Sequence, residues 1–177
     1  MNALRLLVPL AALALLTECS TPQAPVAQGN SAQAQLLEDM ARANRLAADH
    51  SQAQIEGYLR RHHDSSFTAQ ANGLYTKIWG TPRQAPMQAQ SLVKVAYRLE
   101  LLDGTLLRNL DSSQAETLLL GRGDRTAGLD YLLLMMQPGQ QGEALVPAEL
   151  GYGLQGDGAR VPPNACLHYT VTWLAQP

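Results

Sequence analysis

The residues able to do chemistry gather in the last third of the chain. Gly128-Leu129-Asp130-Tyr131 opens a short apolar stretch that stops at Pro138-Gly139. Val146-Pro147-Ala148-Glu149-Leu150-Gly151-Tyr152-Gly153 follows, and a loop then ends in Val161-Pro162-Pro163-Asn164-Ala165. Tyr97 and Tyr169 lie on alternating runs before and after these segments. No acid–base pair and no metal-ligand cluster is evident among them. His62-His63 does not make a metal site, because neighbours on a helix point about 100° apart and no Cys or carboxylate cluster completes one. Nothing in these residues calls for a cofactor.

These residues need a scaffold, and the pattern of the chain predicts one. Val93 to Leu101 alternates strictly, with apolar odd positions and Lys94, Ala96, Arg98 and Glu100 between them. That is a half-buried antiparallel strand. Asp103-Gly104 is a hairpin turn signal. Gly73 to Trp79 reads as a first strand, ended by Gly80-Thr81-Pro82, and Leu167 to Trp173 as the last. On that last strand Leu167, Tyr169, Val171 and Trp173 share one face, while His168, Thr170 and Thr172 share the other. Gly128 to Met136 reads as a short apolar helix. The fold class expected is therefore α+β, an antiparallel sheet half-wrapped around one short helix.

Ahead of this domain, residues 31–70 are expected to form a helical extension. Leu36, Met40, Ala43 and Ala47 fall on one helical face. Ser51-Gln52-Ala53-Gln54 has the form of a capping box, so a second helix is expected to start there, with Ile55, Tyr58, Leu59 and His62 inward. Sustained heptads are lacking, so the helices should pack on the main domain or on a second copy.

The N-terminus reads as a targeting segment. Arg5 precedes an apolar run, Leu6 to Leu16, of signal-peptide length and too short to span a bilayer. Leu16-Thr17-Glu18-Cys19 resembles a bacterial lipobox, in which Cys19 would be lipidated, although Glu18 departs from the small residue usual there. Residues 1–19 are thus expected to be a lipoprotein-type signal peptide and 20–30 a flexible tether. Ser20 after the cysteine resembles outer-membrane sorting more than inner. The expected location is the periplasm. Cys166 reads as a lone half-buried thiol. With a net charge of −2 on 177 residues, nothing favours nucleic acid as a partner.

Taken together, the Gly128 helix start, the Gly after the helix, the Pro147-to-Gly153 turn and Val161-Pro162-Pro163-Asn164-Ala165 resemble the signatures of the FKBP-type peptidyl-prolyl isomerases, over Gly73 to Pro177. The lipobox adds a likeness to the bacterial lipoprotein subgroup, and the helical stretch to the layout of two-domain periplasmic members. The resemblance implies prolyl isomerase activity on proline-containing polypeptides during the folding of exported proteins. It also implies a homodimer through 31–63. Tyr97, Tyr152 and Tyr169 match the family's catalytic tyrosine and wall positions, although core packing alone would also turn Tyr97 and Tyr169 inward. Leu107, Leu129 and Val161 match apolar substrate-binding positions. Thr126 matches the residue whose backbone N–H meets the ligand carbonyl. Leu107 and Leu129 replace aromatics, Arg108 replaces the usual Asp, Glu116 stands where an aromatic is common, and Arg125 also departs. These changes imply a wider, more polar pocket, weak activity and poor macrolide binding. A catalytically degenerate chaperone or binding module of the cell envelope is the second expectation.

Overall fold

A computed structural model describes residues 29–174. The expected signal peptide, Cys19 and most of the tether lie outside these residues. The order of elements is α1 (Gly29–His62), β1 (Thr68–Ala69), β2 (Tyr75–Trp79), β3 (Leu92–Leu101), β4 (Leu106–Leu110), β5 (Glu116–Leu119), α2 (Ala127–Met135), β6 (Gln141–Val146) and β7 (Leu167–Leu174). A 3-10 turn, Ala148–Leu150, follows β6.

The strands form one antiparallel sheet in the order β1-β2-β6-β7-β3-β4, with β5 continuing beside the first half of β3. The alternation in β3 and β7 has a direct cause. Tyr97 pairs across from Val171, and Leu99 from Tyr169, so the apolar members of both strands share one face. α2 lies against that face, burying Leu129, Leu132 and Leu133. Val93, Val95, Tyr97, Tyr169, Val171 and Trp173 meet it in a single core. At the hairpin it is Gly104, at φ +89°, that takes the left-handed turn position.

The helical extension differs from expectation. One 34-residue helix runs through Ser51 without a break. No Gly or Pro interrupts it there, so a polar residue with capping character has no helix end to cap. Ser51 is instead fully buried where α1 meets the domain. Its hydroxyl accepts the Ala148 N–H at 3.3 Å, and its carbonyl accepts the Cys166 thiol at 3.6 Å. Cys166 is thus buried rather than half-buried, at 2% exposure. The extension also ends earlier than residue 70. The helix stops at His62, and Thr68–Ala69 already pairs with β2.

Only the second half of α1 docks. Ile55 packs with Leu145 and Cys166 on the outer face of the sheet, joined by Tyr58, Leu59 and Phe67. The Tyr58 hydroxyl reaches His168 Nδ1 at 3.5 Å, so the nominally polar face of β7 is partly covered by this helix. Burial, opposed by Glu143 and Glu100, lowers the His168 pKa. On the first half, Leu36 and Met40 remain more than half exposed.

Candidate functional site

The site is built where β3, β7 and the start of α2 meet. Tyr97 on β3 and Tyr169 on β7 are diagonal neighbours on one face, two residues apart in register, and their rings lie 5.8 Å centre to centre in a tilted arrangement. Both are nearly fully buried. Burial first, and the Glu116 carboxylate second, push the Tyr97 phenol up to about 12. Burial likewise raises Tyr169 above its ordinary value. Both rings therefore carry their protons at neutral pH.

Thr126 ties this wall to the helix. It is the N-cap of α2, in extended backbone geometry, and its hydroxyl oxygen accepts the Leu129 N–H at 3.3 Å. The same hydroxyl donates to the Tyr169 oxygen at 3.1 Å. In that arrangement the phenol proton of Tyr169 stays available to another acceptor. No backbone carbonyl among the described residues takes the Thr126 backbone N–H. Leu129, the first large side chain of α2, is 1% exposed and belongs to the floor of the core.

The remaining wall comes from the loop between β6 and β7. Val161 is buried in the same core, and Tyr152 packs half-buried against it. The Tyr152 phenol neighbours both Tyr169 and Arg125. Leu107 on β4 is buried at the edge of the core. The seven positions singled out from the sequence thus all border or enter one core, and the three tyrosines converge.

Two features of the loop had no reading from sequence. The Asp157 carboxylate accepts the backbone N–H groups of Ala159, Arg160 and Val161 at 2.9, 2.8 and 2.7 Å. These bonds, that from Val161 first, hold its carboxyl below the usual carboxylate range. Arg160 then donates to the carbonyls of Leu107 and Leu106 at 2.7 and 2.6 Å, strapping the loop to β4. The Asp157-Gly158 pair is a turn signal from which the first could have been read. The strap joins residues 53 apart and has no local signature.

The three charged departures from the family pattern form one cluster. Arg125 binds Glu116 through two donors, Nε at 3.0 Å and Nη2 at 2.9 Å. Arg108 also donates to Glu116, and its guanidinium stands 6.0 Å from the centre of the Tyr97 ring. The Tyr97 hydroxyl donates to Glu116 Oε2 at 3.4 Å. A polar rim therefore replaces aromatic area at this edge. Among the described residues no group of three or more His, Cys, Asp or Glu is placed to hold a metal ion.

Comparisons with known proteins bear on this arrangement. The sequence pattern of the FKBP-type peptidyl-prolyl cis-trans isomerases matches residues 83–174. An FK506-binding protein of Neisseria meningitidis serogroup C is 36% identical over 83 residues, covering 46% of this chain and 76% of its own. The peptidyl-prolyl cis-trans isomerase FKBP10 of mouse is 33% identical over 107 residues, covering 59% of this chain, which spans only 18% of that protein's length. Among solved structures, FkpA from Escherichia coli superposes with a TM-score of 0.61 at 22% identity, over 83% of this chain and 69% of its own. A peptidyl-prolyl isomerase from Pseudomonas syringae pv. tomato gives 0.61 at 20% identity, over 74% of this chain and 93% of its own. At such identities the superpositions speak for the fold. The sequence pattern covers just over half of the 177 residues and includes β3, α2, the Tyr152 turn and β7, so the chain belongs to the FKBP-type peptidyl-prolyl cis-trans isomerase family.

Proposed function

We propose that this chain isomerises X-Pro bonds in proteins folding in the periplasm, with the proline held among Tyr97, Tyr152 and Tyr169. The convergence of the three tyrosines on Leu129 and Val161 is the observation that carries this reading. The reaction makes and breaks no covalent bond. Its barrier, about 18–20 kcal/mol, is the loss of amide resonance. The twisted amide is less polar than the planar one, so a dry apolar wall favours it, and each tenfold acceleration needs about 1.4 kcal/mol of such preference. In this reading Leu107, Leu129 and Val161 supply the wall, the Thr126 N–H meets a client carbonyl, and the Tyr152 hydroxyl reaches the peptide.

A protease-coupled assay on X-Pro peptides tests the activity. Acceleration above the spontaneous rate is expected, and weaker than a wholly aromatic pocket would give. No acceleration from correctly folded protein would replace the enzyme with the second reading, a binding module. The ion cluster of Arg108, Glu116 and Arg125 at the pocket edge favours that alternative.

The lipobox-like run ending at Cys19 supports a lipid anchor facing the periplasm, and Ser20 after it supports the outer rather than the inner membrane. The exposed Leu36 and Met40 on α1 support pairing of two copies through 31–63. Cys19→Ala should release the protein from the membrane fraction, and light scattering on the released form should give a dimer mass. Unchanged retention, or a monomer mass, would remove the corresponding proposal.

A further inference from the structure

The rim of the hollow has an unbalanced charge. Two guanidinium groups, Arg108 and Arg125, share the single carboxylate of Glu116. Arg160 adds a third cation on the adjoining loop, and its neighbour Asp157 a second carboxylate already taken up by backbone N–H groups. The balance over these five groups is one positive charge. Arg125 spends two of its five N–H donors on Glu116, and Arg108 one. Both arginine side chains are about two-fifths exposed, at 42% and 38%, while Glu116 is only 17% exposed. The positive groups thus face solvent and the negative one faces inward.

This charge stands beside the three tyrosines that are proposed to hold the proline. The Arg108 guanidinium is 6.0 Å from the centre of the Tyr97 ring. Arg125 neighbours Tyr97, Tyr152 and Tyr169. A peptide with its proline among these rings therefore brings the flanking side chains to the two guanidiniums. A planar fork with spare donors matches a carboxylate in two-point fashion.

We infer that the site selects prolines flanked by acidic side chains, whose carboxylates take the unused N–H donors of Arg108 and Arg125. The inference deepens the isomerase reading and rests on it for the position of the proline. Glu116 has a second role here, because it holds both guanidiniums at the rim and partly neutralises them. The pairing is solvent-screened, so its contribution is modest and depends on salt.

The test compares the affinities of two blocked peptides, Ala-Glu-Pro-Glu-Ala and Ala-Gln-Pro-Gln-Ala, for the full chain by NMR titration. These peptides have the same shape and differ in charge. At low salt the Glu peptide should bind about fivefold tighter, and the ratio should fall towards one near 1 M salt, as expected for exposed ion pairs. In the Arg108→Gln/Arg125→Gln double variant the ratio should drop below one, since Glu116 then keeps only the Tyr97 hydroxyl as a partner and its negative charge is no longer offset. Equal affinities in the unaltered protein, or a preference insensitive to salt, overturn the inference and leave the isomerase reading in place. Binding of neither peptide overturns both. The salt series uses the unaltered protein, so it decides even where the double variant does not fold. Affinity is the readout, so a chain that binds prolines without isomerising them is judged equally well.

Discussion

Trp173→Ala should lower the unfolding free energy by about 3–5 kcal/mol, the range for removing a buried large aromatic. Trp173 is 1% exposed and is the largest fully buried side chain of the described residues. It sits opposite Val95 on β3 and on the same face of β7 as Tyr169 and Val171. The backbone of Trp173 exchanges hydrogen bonds with the turn after α2, donating to Gln140 O at 3.0 Å and accepting from Gly139 N–H at 2.9 Å. Those bonds survive the substitution, so the loss reports the cavity. A domain of this size is commonly stable by about 5–15 kcal/mol, which makes the change a large share of the total. Urea unfolding followed by circular dichroism measures it. A loss below about 1 kcal/mol would mean that β7 is not packed against α2 as described.

The same residue shows what was legible in the sequence. Period-two alternation on β3 and β7 is a local signal, and both strands lie within a residue of where it puts them. α2 was legible for a related reason, since its apolar run is closed by Pro138-Gly139. The extension was less legible because its two halves meet different surroundings. Ser51 carries the same capping chemistry in a helix interior as at a helix start. Only contact with Ala148 and Cys166, about a hundred residues on, shows which applies. The rim was legible residue by residue but not as a unit. Arg108, Glu116 and Arg125 each departed from the family pattern. That the departures compensate one another became visible only once β4, β5 and the start of α2 were brought together. Where the usual pattern has an acid on β4 and an aromatic on β5, this chain has a base on β4 and an acid on β5. A polar contact to the Tyr97 hydroxyl is present through Glu116.

Gly128→Ala should destabilise the domain by about 1–3 kcal/mol, although alanine is ordinarily the better helix residue. Two effects of opposite sign compete here. Replacing Gly by Ala within a helix favours folding by roughly 1 kcal/mol. Against this, a β-carbon at Gly128 would stand 2.7 Å from Val146 Cγ2 and 3.1 Å from Val146 Cβ, with Val146 Cγ1 nearer still. Val146 is fully buried on β6 and cannot swing aside. The overlap therefore wins, and α2 must move off the sheet to relieve it. That movement passes directly to the site. Thr126, two residues upstream, holds both the Leu129 N–H and the Tyr169 hydroxyl. A displaced α2 stretches the Thr126–Tyr169 bond and lifts Leu129 from the floor. The variant should accordingly lose X-Pro turnover several-fold at temperatures where it is still folded. Adding Val146→Ala opens space for the new methyl group. The double variant should then be more stable than the sum of the two single losses by at least about 1 kcal/mol, because contacting residues are not additive. Additive losses within about 0.5 kcal/mol would show that α2 does not approach β6 through Gly128. The tyrosines would then owe their spacing to the sheet alone.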